Sequence, residues 1–250
     1  MKLLVKLISV SILFSVLFIS CGEDVTLNLD DFDTGSRYHP ASLDRFWVYK
    51  IDSLTITNGG SVVSSSTSFL RESLVSSFLN PDGDTTFILE RAFSSSQNGP
   101  YFTTDRWTLE KTEDRLLRVE ENLQFVKLLF PIQVGTTWNG NLFDDQLISS
   151  VSQQQIRIYR DWEYSVLSDN DEVTVEGVNY QDVVTVQQAE FETALELRRS
   201  REEYAPDVGL IRREMEIFDT QCIDQACQAQ PWLDKAMAGF QLTQVLVDHN

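Results

Sequence analysis

The sequence predicts an all-β protein: a single antiparallel curved sheet, built as a half-barrel or sandwich, with about ten strands and little helix. Three observations support this fold class. Short segments with alternating apolar residues recur along the chain, turn signals separate them closely, and no long amphipathic helix pattern interrupts them. Such a sheet must curl or close on itself to protect its edges.

The first predicted strand lies in "RFWVYKIDSLTIT", residues 45–57. Trp47, Tyr49 and Ile51 alternate on one face, after which Leu54 and Ile56 continue in the opposite phase. A β-bulge after Ile51 would explain this change of phase.

Turn residues divide the next part of the chain into hairpins. Asn58-Gly59-Gly60 is a strong turn signal. "SFLRESLVSSFL" and "TTFILERAFS" flank "NPDGD", where Gly83 supplies the positive φ of a hairpin turn. A further hairpin is predicted around residues 112–115, and Pro131 ends the apolar run "LQFVKLLFPI".

The second half continues the same pattern. "DWEYSVLSDNDEVTVEGVNYQDVVTVQQAE" gives three strand candidates separated by "SDND" and "EGVN". "TALELRRSREEY" has a helix-like composition, but its neighbours favour a strand. "VGLIRREMEIFD" and "GFQLTQVLVDH" complete the sheet, and "DQACQAQPWLDKAM" between them is predicted to be a loop with a helical turn.

The N-terminus has the features of an export signal. Lys2 and Lys6 precede a mostly apolar run at residues 7–19, which is shorter than the roughly 20 residues needed to span a bilayer. The run ends at Ser20-Cys21, which resembles the lipobox of bacterial lipoproteins. That resemblance implies acylation of Cys21, with chains such as palmitate, and cleavage before it. The alternatives are a plain signal peptide and a retained membrane anchor.

These features divide the chain into three parts. Residues 1–20 are predicted to be a lipoprotein signal peptide, residues 21–44 a lipidated acidic tether, and residues 45–250 the all-β domain. The residue after the cysteine is Gly22 rather than an aspartate, which resembles the pattern of lipoproteins that are sent to the outer membrane. The predicted location is therefore the outer membrane, on its periplasmic or its surface face.

Charge and cysteine content limit the partners. The formal net charge is −18, which opposes binding to nucleic acid. Cys222 and Cys227 are predicted to form a local disulfide in an oxidising compartment. The two histidines, His39 and His249, lie far apart in sequence, so no metal site is predicted. No cofactor is predicted either.

One loop is a candidate for ligand contact. In "VGTTWNGN", Trp138 could stack on a sugar while Asn139 and Asn141 form hydrogen bonds with it. The competing interpretation is structural: Gly135 and Gly140 provide turn geometry, and Trp138 plugs one end of the sheet. In "NPDGD", the spacing of Asn80, Asp82 and Asp84 suggests the oxygen ligands of a calcium site. A turn explains this segment better.

Catalytic groups are scarce. The histidines and cysteines do not allow a nucleophile–base pair, and no catalytic residue is assigned. Paired carboxylates could still hydrolyse glycosides, and this is the less favoured alternative. The acids available for it are Glu120, Glu121, Glu190, Glu192, Glu202 and Glu203.

Several segments resemble uncharacterised lipoproteins of Bacteroidota-type bacteria. They are "FWVYKIDSL", "ENLQFVKLLFPIQVGTTWNGN" and "EEYAPDVGLIRRE". The resemblance implies an exported, lipid-anchored protein and names no activity. At the level of fold, the expected sheet is also similar to the half-barrels of lipoprotein carriers, which hold acyl chains.

The sequence therefore predicts a non-enzymatic lipoprotein of the cell envelope, attached to the membrane by its N-terminal lipid. Its β domain is expected to bind an apolar ligand, a lipid or acyl chain, in a cavity of a few hundred Å³ or more. The alternative is a structural or adhesion module that contacts an envelope protein or a glycan.

Overall fold

The computed structural model describes residues 35–141, 149–151 and 154–250. Within these residues the protein is all-β, as the sequence predicts, and its main sheet is antiparallel. The sheet has twelve strands rather than about ten, and a second sheet pairs two short strands. The strands are β1 (Phe46–Thr57), β2 (Val62–Leu79), β3 (Thr85–Ser94), β4 (Phe102–Lys111), β5 (Arg115–Glu120), β6 (Leu123–Leu129), β7 (Thr137–Trp138), β8 (Ser149–Val151), β9 (Gln154–Ile156), β10 (Tyr164–Val175), β11 (Val178–Glu192), β12 (Glu196–Ala205), β13 (Gly209–Asp219) and β14 (Ala238–His249).

Most neighbours in the main sheet are also neighbours in sequence. Their order is β6-β5-β4-β3-β2-β1-β14-β13-β12-β11-β10-β7, so the first and last long strands meet at its centre. Hairpins build each half, and the β1–β14 pairing joins the two halves. The long β1–β14 and β1–β2 ladders therefore form the middle of the domain.

The sheet curls until its two edges meet, without closing into a continuous barrel. Residues just after β7 lie beside β6 at the opposite edge: Phe125 and Asn141 form an isolated bridge, and the Val126 amide donates to the Gly140 carbonyl. Trp138 adds a hydrogen bond from its indole N–H to the Val126 carbonyl, at 2.8 Å. We call this contact the seam. It encloses the main apolar core inside the curled sheet.

The change of phase in β1 has a different cause from the predicted bulge. The β1–β2 register is unbroken, and the shift against β14 lies between Val48 and Tyr49. Leu54 and Ile56 belong to a second apolar cluster, separate from the main core, with Leu197, Phe218 and Ala236. The predicted bulge after Ile51 was wrong because the segment after β13 covers this apolar patch.

The segment predicted to hold three strands forms two, β10 and β11, and a bulge explains the difference. "SDND" lies inside β10, whose pairing with β11 shifts between Ser168 and Asp171, so the chain bends without turning back. The predicted turn at Gly83 is confirmed, with a φ of 92°. The strand predicted in "TALELRRSREEY" is confirmed as β12.

Two short helices follow β13, α1 (Gln225–Gln228) and α2 (Trp232–Lys235). The predicted disulfide between Cys222 and Cys227 is present in this loop. None of the helices in the described part of the chain is long and apolar enough to cross a membrane.

The segment before β1 packs on the sheet, although the sequence predicts a tether there. A 3₁₀ helix spans Ser36–Tyr38, and both Tyr38 and His39 are buried. The Tyr38 hydroxyl donates to the Asp182 carbonyl at 2.7 Å, and the His39 ring stacks on Trp47. This segment covers one end of the space inside the sheet.

Candidate functional site: the charged interior of the sheet

The interior of the curled sheet contains a cluster of charged side chains, which is an unusual content for a β core. They occupy inward positions that alternate with apolar ones, such as Glu72 between Leu70 and Leu74. We call this set the interior cluster. Its members are Glu72, Arg91, Arg118, Glu120, Lys127, Glu202 and Arg213.

One half of the cluster is centred on Glu72. This carboxylate accepts a hydrogen bond from Arg91 Nε at 2.9 Å and another from Arg118. The β2–β3 register places Glu72 opposite Arg91, while Arg118 reaches it from β5. Trp107 completes this half, because the Arg91 guanidinium lies 3.5 Å from the centre of its ring.

The other half is centred on Glu202. Its carboxylate accepts from Lys127 Nζ at 3.2 Å and from the Tyr204 hydroxyl at 2.6 Å, and it lies 3.4 Å from Arg213 Nε. Lys127 also lies 3.4 Å from Glu120 and so connects the two halves. Since Lys127 is on β6 and Glu202 on β12, the Lys127–Glu202 ion pair crosses the interior of the curled sheet.

The electrostatics keep these carboxyl groups ionised. Burial alone would raise the pKa of Glu120, but the charges of Lys127 and Arg118 outweigh it and lower the pKa to about 2. The pKa of Glu202 is also lowered, because Lys127 and Arg213 outweigh the effect of burial. Neither group is a proton donor near neutral pH, as the acid of a glycoside hydrolase must be.

His39 stays uncharged at the edge of the cluster. Burial, helped by the positive charges of Arg118 and Lys111, lowers its pKa from 6.5 to about 3. Within the described residues neither ring nitrogen has a hydrogen-bond partner. The ring is held by stacking on Trp47, with the centroids 5.2 Å apart.

Only a small cavity remains inside the cluster. It has a volume of about 20 Å³ and lies between His39, Tyr49, Gln244 and the charged side chains. One water molecule needs roughly 10–15 Å³, so a single small species fits and an acyl chain does not. Larger grooves lie elsewhere, of about 310, 370, 400 and 860 Å³, and each of them is lined by both polar and apolar residues.

The predicted ligand-contact residues lie at the seam. The Trp138 indole is bonded to Val126, and the Asn139 side chain accepts from the Asn141 amide at 3.0 Å. Asn141 is buried and accepts from the Tyr164 hydroxyl at 3.1 Å. The loop thus bonds largely to the protein itself, and its contact with a ligand stays a prediction.

Other predicted sites have mixed outcomes. Cys21, the expected lipidation site, lies outside the described residues. The "NPDGD" oxygens form a turn, in which Asn80 Oδ1 accepts from the Asp82 and Asp84 amides. In the described part of the chain, no group of three or more acidic, histidine or cysteine side chains is arranged to hold a metal ion.

The interior cluster was not predicted from the sequence, although a signal was present. In β2, Leu70, Glu72 and Leu74 share one face, and in β5 Leu116, Arg118 and Glu120 do the same. A charge that keeps the inward phase of its apolar neighbours indicates a buried ion pair. The pattern does not identify the residue that pairs with the buried charge, because that residue often lies on a distant strand.

Comparisons with known proteins give no family. No protein-family model matches the chain, and no curated protein matches it. Three solved structures are similar over most of their length, at low identity. A protein from Bacteroides fragilis, described as exported and as having a YmcC-like fold, is 10% identical, with 84% of this chain and 97% of that chain covered and a TM-score of 0.34.

The other two structures are also similar at low identity. A protein from Parabacteroides distasonis, described as a lipoprotein, is 12% identical, with 85% of this chain and 98% of that chain covered and a TM-score of 0.32. A DUF1329 family protein from Desulfovibrio piger is 10% identical, with 87% of this chain and 92% of that chain covered and a TM-score of 0.23. At these TM-scores the similarities carry no argument about function.

Proposed function

We propose that this chain is a lipid-anchored protein of the cell envelope, attached through Cys21, whose β domain contacts a partner protein. In this proposal the domain neither carries an apolar ligand nor catalyses a reaction. The observation that supports it best is the interior of the sheet. The main apolar core and the interior cluster together fill the place where a carrier would hold its acyl chain, and the cavity among the charged side chains is about 20 Å³.

The edge of β2 supports a contact with a protein rather than with a glycan. β2 pairs with β1 over residues 62–73 but with β3 only over residues 69–79. Residues 62–68, "VVSSSTS", therefore have a ladder on one side only among the described strands. This segment has no charge and no proline, the usual devices that protect an edge, and most of it is exposed.

An extended segment of a partner protein could add a strand at this edge, since main-chain hydrogen bonds supply affinity in that mode. A second copy of the chain is a poorer occupant. Each copy has a net charge of −18, and two such charges repel when the domains approach. The partner is therefore expected to be neutral or basic at the contacting segment.

The anchor and the carrier function are tested together by native mass spectrometry of the full chain from envelope membranes. We expect a chain that begins at an acylated Cys21 and has no lipid bound noncovalently. A Cys21→Ala variant should leave the membrane fraction. A stoichiometric acyl lipid held by the folded domain would overturn the proposal, as would membrane retention of the variant.

The edge is tested by photo-crosslinking in cells. A photoreactive residue in place of Ser66, on the free edge, should give a specific adduct with an envelope protein. The matched control replaces Arg71, which is exposed on the same strand but is paired with β1 on one side and with β3 on the other. The crosslinked peptide is then synthesised, and it should slow amide exchange in residues 62–68. Equal adducts at both positions, or no slowing, would contradict strand addition.

A further inference from the structure

The small cavity in the interior cluster has a lining of unusual charge. Four cations and two carboxylates border it, and the other lining groups are neutral or apolar at neutral pH. The cations are Arg91, Arg118, Lys127 and Arg213, and the carboxylates are Glu72 and Glu202. Charges taken out of water require compensation nearby, because the interior screens them poorly.

The remaining acids compensate this excess only in part. Glu120 lies 3.2 Å from Arg118 and 3.4 Å from Lys127 but does not border the cavity. Asp105 lies 4.0 Å from Arg91, and its side chain is 39% exposed, so solvent screens it. With Glu120 included, the described cluster still holds four cations and three carboxylates.

The buried polar atoms without partners point the same way. Among the residues that border the cavity, these atoms are all nitrogens: both ring nitrogens of His39, Arg118 Nε and Arg213 Nε. The two guanidinium nitrogens lie 3.2 and 3.4 Å from carboxylate oxygens without hydrogen-bond geometry. Both are donors, and the neutral imidazole of His39 adds one donor N–H and one acceptor nitrogen. Three donors beside one small space suit a species that only accepts.

We propose that this cavity binds one monovalent anion of about the size of chloride. The volume of about 20 Å³ exceeds the roughly 10–15 Å³ needed for one water, which leaves room for a slightly larger sphere. An anion would balance the cation excess, whereas a water would not. It would also accept from the Nε–H groups of Arg118 and Arg213, which make no hydrogen bond among the described residues.

The binding is expected to stabilise the folded chain, since the site does not exist when the chain is unfolded. At constant ionic strength and pH, sodium chloride is exchanged for sodium gluconate, whose anion is too large for the cavity. We expect the melting temperature of the full chain to rise with chloride by roughly 2 °C or more. Bromide should act similarly.

Two variants separate this site from general salt effects. Arg213→Gln removes a lining cation and should abolish the dependence on chloride. Arg199→Gln is the matched control, because Arg199 lies outside the cavity among Glu190, Glu192 and Glu216. It should keep the chloride dependence. An unchanged response in Arg213→Gln, or an equal loss in both variants, would overturn the proposal.

A measurement on the unaltered chain covers the case in which Arg213→Gln does not fold. Crystals grown in sodium bromide should show an anomalous scattering peak inside the cavity. A peak there supports the site directly. A water in the cavity, with bromide found only at the surface or nowhere, would overturn it.

Discussion

The two faces of the sheet carry the same kinds of charged residues under opposite conditions. Inside, Glu202 is 1% exposed and is shared by Lys127 and Arg213. Outside, Glu190 is 52% exposed and pairs with Arg199 at 2.9 Å. The distances are similar, but only the inner group has lost its water. The comparison predicts that burial, not contact distance, decides how strongly an ion pair affects stability.

The largest expected effect comes from removing one buried charge. Glu202→Gln keeps the shape but leaves Lys127 and Arg213 without their shared carboxylate, and should lower the free energy of unfolding by about 3–5 kcal/mol. Glu190→Gln makes the same chemical change outside and should cost about 1 kcal/mol or less. Urea unfolding midpoints at constant m-value measure both. Equal losses would break the comparison between the two faces.

The next effect is the pH dependence conferred by His39. Its pKa is about 3 in the folded chain and ordinarily 6.5, so below pH 6.5 the unfolded chain binds a proton that the folded chain does not. Stability should therefore fall with decreasing pH, by about 1.4 kcal/mol per pH unit well inside this window. His39→Phe should flatten the slope between pH 6 and 5.

The control for this prediction is His249→Gln, because His249 is exposed at the end of β14. It should leave the slope as in the unaltered chain. If His39→Phe keeps the full slope, the imidazole is not the group that takes up the proton, and its burial in the neutral form has been misjudged.

A smaller effect is expected at the seam that seals the interior. An added Cβ on Gly140 would lie 2.5 Å from ring carbons of the buried Tyr164. Gly140→Ala should therefore cost about 1–3 kcal/mol through overpacking. Hydrogen exchange should show faster exchange at the Val126 amide, which donates to Gly140, and unchanged protection in the β1–β2 ladder. Uniform loss of protection would mean that the seam is not a separate structural unit.

The smallest effect is expected in the segment after β13, which covers the second apolar cluster. The Trp232 indole donates to the exposed Glu192 carboxylate at 2.8 Å. Trp232→Phe keeps an apolar ring beside the second cluster and removes this bond, so it should cost about 0.5–1.5 kcal/mol. Glu192→Gln, which keeps an acceptor, should cost less. Thermal unfolding of both variants gives the comparison, and a loss as large as that of Glu202→Gln would contradict it.

Local sequence patterns were enough to predict the fold class, most of the hairpins and the disulfide. Alternation places side chains on one face, residues such as Gly83 permit a turn, and Cys222 and Cys227 are near in sequence. The same patterns gave the wrong cause for the change of phase in β1, because Leu54 and Ile56 are covered by a segment that follows β13.

The content of the sheet interior, in contrast, depends on contacts between strands that are distant in the chain. Lys127 and Glu202 meet because the sheet curls and brings β6 near β12, although the strand order places them far apart. Alternation indicates which side chains face inward, but the curvature that joins distant strands arises from packing of the whole sheet. That curvature decides whether the inward face encloses a ligand or an ion-pair cluster. In this protein the curvature brings charged side chains together.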